Sequence, residues 1–281
     1  MRENEINRIV KAENLLRKGV DPRKIFSSLR GELGREDFDH YTVYLPCVGY
    51  NWIVKEGERY KLLSRDLWYG WAGTFKNGRC KVEMKEDKNW VNEEGKLIRP
   101  DGWLEGVQDF NTLGVAIGRL DGKLGWFDRE GKELSESRYQ TIREVDQDPS
   151  LYIIHERGIG FNISRSDGNP IFPIWYSTIS FIHPKERTAV VSRENLDSIE
   201  EFESCILDLD SGKELCEWYT WIGGFEALAK WGIVVQREVG NEDRFNFINA
   251  QGKLYSPRQW YRKNKGGNLV DSSGNIIEKP I

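Results

Sequence analysis

The sequence predicts an all-β repeat protein with a short N-terminal helical segment, its β part forming a propeller-like array of about five to six four-stranded units. Three observations carry this. A turn made of an apolar pair, Asp or Asn, two polar residues, Gly and then Lys or Asn recurs as Trp90-Val91-Asn92-Glu93-Glu94-Gly95-Lys96, Trp126-Phe127-Asp128-Arg129-Glu130-Gly131-Lys132, Phe247-Ile248-Asn249-Ala250-Gln251-Gly252-Lys253 and Val270-Asp271-Ser272-Ser273-Gly274-Asn275. With looser copies at Gly57, Gly168 and Gly212, the glycines at 57, 95, 131, 168, 212, 252 and 274 are spaced by 38, 36, 37, 44, 40 and 22 residues, the period of an array of supersecondary units. The residues ahead of the array lack this pattern.

The chain opens with a helical hairpin, assigned to residues 1–40 as a cap or docking element. Ile6, Ile9, Val10 and Leu16 share one side of a helical period, and Gly19 stops it. Asp21 caps a second short helix, with Pro22 in its first turn, Ile25, Phe26 and Leu29 on its apolar face and Gly31 at its end. Helices this short must bury their apolar faces on something, either the end of the repeat domain or a partner.

Residues 41–281 are the repeat domain. Asn92, Asp128, Asn249 and Asp271 open four-residue turns in which the side chain accepts from the N–H two residues on, and glycine supplies positive φ at the fourth position. Such a turn closes a β-hairpin. A second strand pair lies between these hairpins, marked by Phe75-Lys76-Asn77-Gly78-Arg79-Cys80-Lys81-Val82 and Phe110-Asn111-Thr112-Leu113-Gly114-Val115-Ala116-Ile117, which makes about four strands per unit. The short last step suggests that 267–281 completes a sheet begun near Tyr41–Leu45, closing a propeller; an open stack of hairpins is the alternative. Aromatics recur soon after each turn: Trp103, Tyr139, Trp175 with Tyr176, Trp218 with Tyr219, and Trp260.

Leu124-Gly125-Trp126-Phe127-Asp128 through Gly131-Lys132, and Ala229-Lys230-Trp231-Gly232-Ile233-Val234, carry a resemblance. From about residue 50 onward the chain resembles the WG (KWG) repeat family of bacterial and phage-encoded proteins. The resemblance implies a β repeat without assigned catalytic residues, so it transfers no site.

Lys plus Arg number 41 against 45 Asp plus Glu, and the formal charge of −4 argues against a general nucleic-acid binder. Arg258 to Lys265 is locally basic and reads as a solvated strand face. No secretion signal is visible, no apolar run is long enough to span a bilayer, and a cytoplasmic location is expected, within an assembly such as a virion in one version. Cys205 and Cys216 flank the Gly212 turn nearly opposite each other and are expected to be reduced thiols. His40, His155 and His183 lack zinc-ligand spacing, and no nucleophile elbow or phosphate loop is present. Asp208-Leu209-Asp210-Ser211-Gly212 and Ser164-Arg165-Ser166-Asp167-Gly168 lack a full calcium-ligand set.

These readings predict no catalytic residue, cofactor or metal. They predict a non-enzymatic scaffold that presents repeat surfaces to a protein partner or to itself, without membrane or nucleic acid. Trp103, Trp175, Trp218, Trp260, Ile25 and Phe26 are the candidate contacts. A carbohydrate or small-ligand module using exposed Trp, and a glycosidase-like hydrolase using paired carboxylates, are the alternatives. Function is expected where the pattern fails, in the long Gly168-to-Gly212 step and in the helices.

Overall fold

The computed structural model describes residues 3–37, 40–64, 66–146, 148–183, 185–194, 202–223, 233–239, 242–249, 251–266 and 268–277. The chain is an all-β repeat array with a short helical segment at its N terminus, and it divides into two compact bodies, Met1–Arg138 and Tyr139–Ile281.

In the first body, α1 (Glu3–Arg17) buries Ile9, Ala12 and Leu16. Its end is a glycine-terminated turn in which Gly19 takes positive φ and the N–H groups of Gly19 and Val20 return to the carbonyls of Leu16 and Leu15. In α2 (Pro22–Ser28), the Asp21 carboxylate accepts from the Arg23 N–H at 2.8 Å. Both helices pack on the first sheet, in one cluster with Val43, Leu45, Ile53, Leu62 and Trp68. That sheet is β1 (Glu32–Asp37), β2 (His40–Leu45), β3 (Gly49–Glu56) and β4 (Arg59–Leu62), antiparallel and in sequence order. Thus β1 lies inside the stretch read from sequence as purely helical. Among the described residues, Tyr41–Leu45 pairs with β1 and β3, so the first sheet already holds four strands contiguous in sequence.

The next two sheets are β5 (Trp71–Ala72), β6 (Arg79–Met84) and β7 (Asp87–Asn92), then β8 (Gly106–Val107), β9 (Ala116–Leu120) and β10 (Lys123–Phe127). The second body continues with β11 (Thr141–Val145), β12 (Asp148–Glu156) and β13 (Gly160–Ser164). It then has β14 (Thr178–His183), β15 (Thr188–Glu194) and β16 (Phe202–Asp208), followed by β17 (Trp221–Ile222), β18 (Ile233–Glu238) and β19 (Asp243–Ile248). A reduced sheet, β20 (Arg262–Lys263) with β21 (Leu269–Val270), follows these. In the first sheet the fourth place is β4; in the next five three-stranded sheets it is filled after the glycine turn, where Val91 bridges Leu97, Phe127 bridges Glu133, Ser164 bridges Pro170, Leu207 bridges Glu214 and Ile248 bridges Leu254. The four-stranded unit expected from the sequence is therefore present, with its outer strand reduced to a bridge. Much of the length added in the Gly168-to-Gly212 step falls at 195–201, and the Ala229–Gly232 part of the second WG match falls at 224–232; both stretches lie outside the described residues.

The glycine turn works as its chemistry predicts. Asp128 Oδ1 accepts from the Glu130 and Lys132 N–H groups at 3.0 and 2.8 Å, while the Gly131 N–H donates to the Asp128 carbonyl at 2.9 Å. Glycine is required for a second reason at Gly95, Gly131 and Gly252, because these turns sit closely on the repeat before them. A Cβ on Gly131 would lie 2.7 Å from the Ile98 side chain, and one on Gly252 only 2.2 Å from the Leu215 carbonyl oxygen.

A buried asparagine six residues before the turn glycine holds the outer edge of four repeats. Asn51, Asn89, Asn162 and Asn246 are fully buried on β3, β7, β13 and β19. In each, Oδ1 accepts from the next residue's N–H at 2.7–2.8 Å, and Nδ2 donates to two carbonyls beyond the turn. Asn89, for example, reaches Arg99 and Gly102. One side chain thus satisfies backbone groups on both sides of the hairpin, which the short outer strand leaves without ladder partners. Gly125 and Cys205 occupy the corresponding place in the other two full repeats of this kind.

Candidate functional site

The aromatics that recur after the turns are structural. They come mostly as pairs, and the second member is buried: Tyr69, Leu104, Tyr139, Tyr176, Tyr219 and Tyr261. Tyr69, Tyr176, Tyr219 and Tyr261 bridge back to Tyr50, Phe161, Ser204 and Phe245. Burial, with smaller contributions from nearby acidic and thiol groups, pushes the hydroxyls of Tyr176 and Tyr219 up to about 12. The first member is half-buried. Trp103 packs on the core around Phe75 and Val82, and Trp175 lies with its Cβ against Gly160. Trp218 stacks on Tyr176 at 6.5 Å beneath the Arg193 guanidinium, 3.9 Å from its ring. Trp260 sits 6.2 Å from Tyr219 under Arg237 at 3.8 Å. Trp218 and Trp260 have one side on a neighbouring aromatic and an Arg close over the ring, so they hold repeats together and present little free surface to a ligand. Ile25 and Phe26 are 1% and 0% exposed against the first sheet, which removes them as docking contacts: of the two readings, cap or docking element, the apolar face of α2 serves as a cap.

Among the described residues, the exposed tryptophans are two others, Trp71 and Trp221, at 44% and 48%. Each is the last residue of a similar segment, Trp68-Tyr69-Gly70-Trp71 and Trp218-Tyr219-Thr220-Trp221, and each opens the first strand of its sheet, opposite Glu83 and Gln236 respectively. That third aromatic was the available sequence signal, and the regular spacing of the others obscured it.

Trp71 borders a groove of about 330 Å³ within the first body, lined also by Lys81, Val82, Glu83, Lys88 and Val107. β5 and β6 supply Trp71, Lys81, Val82 and Glu83, β7 supplies Lys88, and β8 of the next sheet supplies Val107. Gly73 allows the indole to lie where it does, since a Cβ there would be 3.0 Å from the ring edge. The charged rim is preset. Lys81 and Lys76 each contact Asp109 at 2.9 Å, and Lys88 faces Glu83 at 3.7 Å. Burial pulls the Asp109 carboxyl up, but hydrogen bonds and charge from Lys76 and Lys81 outweigh it and hold it below the usual carboxylate value. An apolar floor of Trp71, Val82 and Val107 under a rim of fixed charges can take a flat or aliphatic group and hydrogen-bond its edge.

Other clusters are spent on the fold. Asp148 and Asp210, a carboxylate pair, both bind Arg187, at 3.0 and 2.7 Å. Asp208 Oδ1, in the piece resembling a calcium loop, accepts from the Asp210 and Ser211 N–H groups and the Ser211 hydroxyl. In the basic stretch, the Lys263 ammonium lies 4.6 Å over Phe245 and Arg262 faces Glu242 at 3.9 Å. Among the described residues, no three His, Cys, Asp or Glu side chains are grouped to hold a metal, and no helix is long and apolar enough to cross a membrane.

No protein-family model matches the chain. No curated protein matches it either. Solved structures do. The computationally designed Ika8 protein aligns at 11% identity over 88% of this chain and 85% of that one, with a TM-score of 0.33. BamB from Moraxella catarrhalis aligns at 9% over 86% and 80%, with a TM-score of 0.30, and the WD40 β-propeller domain of Doa1 at 13% over 86% and 89%, with a TM-score of 0.26. At these scores the likeness carries no weight for function, and the repeat architecture rests on the sheets themselves.

Proposed function

We propose that the chain is a non-enzymatic interaction scaffold that binds a protein partner in the Trp71 groove, with a bacterial or phage assembly as the concrete setting. The observation that carries this is Trp71: a large aromatic left 44% exposed on a sheet whose other aromatic, Trp90, is buried, in an apolar floor with ion-paired charges at its rim. Aromatic anchors in partly desolvated pockets dominate protein interfaces, and a rigid array supports one at low entropic cost. The WG-type turns support a scaffold role, because their polar groups are consumed by the turn.

The test is co-purification from a native extract with wild-type protein, Trp71→Ala and Trp221→Ala, followed by reconstitution with the purified partner. Trp71→Ala should weaken the reconstituted complex at least tenfold while Trp221→Ala does not. A monomeric mass by light scattering with no partner recovered, or equal affinity for all three proteins, sinks the proposal.

A carbohydrate ligand is the second reading, favoured by the open indole beside Lys81, Glu83 and Lys88, which suits one sugar ring better than a long chain. Oligosaccharides that quench tryptophan fluorescence in the wild type, but not in Trp71→Ala, would select it.

A further inference from the structure

Cys205 lies on β16 at the place that Asn51, Asn89, Asn162 and Asn246 fill elsewhere, and Cys216 lies at the place those asparagines reach across to. The register shows this. Leu207 bridges Glu214, and the same antiparallel register continued by two residues puts Cys205 opposite Cys216. Val91 with Leu97 and Ile248 with Leu254 likewise put Asn89 opposite Arg99 and Asn246 opposite Ser256, which are the clamp contacts seen. The cysteines take over the asparagine's bonds: the Ile206 N–H donates to Cys216 Sγ at 3.3 Å, and the Cys205 thiol donates to the Cys216 carbonyl at 3.2 Å. The two sulfurs are 3.7 Å apart. The Leu215 N–H donates to the Ile206 carbonyl and the Asp208 N–H to the Lys213 carbonyl, so Leu207 and Glu214, and hence Cys205 and Cys216, occupy non-hydrogen-bonded positions. Opposed Cα atoms at such positions are about 4.5 Å apart, within the range that a disulfide spans.

We infer that Cys205 and Cys216 form a reversible disulfide, a covalent version of the asparagine clamp, when the protein meets a peroxide. Cys205 is fully buried and Cys216 half-buried, so Cys216 is the sulfur that the oxidant reaches. Its sulfur also accepts from the Ile206 N–H at 3.3 Å, a contact that favours its thiolate. Its thiolate attacks one peroxide oxygen, the O–O bond breaks, and one water leaves after protonation, giving a sulfenic acid. The Cys205 sulfur then attacks the Cys216 sulfur, the S–O bond breaks, and the Cys205 proton leaves with the hydroxyl as a second water. Two thiols lose two electrons and two protons, and one peroxide becomes two waters.

The experiment treats wild-type protein with hydrogen peroxide, quenches in acid, denatures, alkylates and maps peptides by mass spectrometry. The chain has four cysteines, so four alkylated thiols should fall to two, with a peptide joining Cys205 to Cys216 that a dithiol reductant releases. In Cys216→Ser the joined peptide should vanish and Cys205 should remain largely alkylatable, because burial protects a thiol left without its partner. Wild-type protein that keeps both thiols alkylatable, converts Cys216 to a sulfinic acid without linkage, or links Cys216 to Cys47 overturns the inference. The wild-type result stands alone even if the serine variant does not fold.

Discussion

The asparagine clamp makes a demanding prediction at Asn162, which is fully buried. Its Nδ2 donates to the carbonyls of Phe172 and Ile174 at 3.1 and 2.9 Å, and its Oδ1 accepts from the N–H groups of Ile163 and Phe172 at 2.8 and 3.2 Å. Asn162→Ala strands all four backbone groups. One water entering the vacated space can satisfy two of them. The remaining two cost about 1–3 kcal/mol each, so the loss should be about 2–6 kcal/mol. Asn162→Leu fills the space without restoring any bond, and it should cost about as much, within ~1 kcal/mol. Urea unfolding followed by circular dichroism reads the loss, and hydrogen exchange should show the Ile163 and Phe172 amides losing protection before the rest of their sheet. A leucine variant as stable as the wild type would refute the reasoning, because it would mean the asparagine only fills volume.

The turn glycines divide by what lies above them. Gly252→Ala meets both a φ of +76° and a carbonyl oxygen at 2.2 Å and should cost about 2–5 kcal/mol, whereas Gly274→Ala, with φ +87° and nothing within 4 Å, should cost only about 1–2 kcal/mol; equal midpoints in denaturant would sink the nested-turn account. Asp109→Asn should cost about 0.5 kcal/mol at neutral pH, given the partial exposure of the group. Because the folded carboxyl titrates below its ordinary value, that stabilisation is present above the unfolded value of about 4 and disappears as pH falls through the folded one, so wild-type and variant denaturation midpoints should converge in acid and not in alkali. Trp218→Ala should destabilise by about 3–5 kcal/mol, whereas Trp71→Ala should change stability by less than ~1 kcal/mol, a contrast that thermal melts of the two variants would check.

The repeat was legible because its turns combine two constraints visible in letters: a side chain that accepts from the backbone, and a glycine at positive φ. The helices were legible from Asp21, Pro22 and the apolar face, but β1 was not, since Glu32-Leu33-Gly34-Arg35-Glu36-Asp37 carries one large apolar residue and no alternation. The asparagine clamp escaped notice because a lone Asn in a strand looks like an interruption, and Gly125 and Cys205 break the series. The recurrence of Trp103, Trp175, Trp218 and Trp260 fits packing and ligand contact alike in the letters alone. What separates them from Trp71 is which residue covers the ring, and that depends on neighbours far away in sequence.

The seating of four glycine turns on the repeat before them separates the repeat that is copied from the repeat that folds. Gly95 rests on Leu63, Gly131 on Ile98, Gly212 on Phe172 and Gly252 on Leu215. A fragment cut from one glycine turn to the next therefore keeps its own hairpin and loses the surface beneath it. The smallest autonomous piece of such an array spans two consecutive copies, and a duplication that lengthens it must insert a whole period in phase, because a shift of one residue would put a side chain where only a hydrogen atom fits.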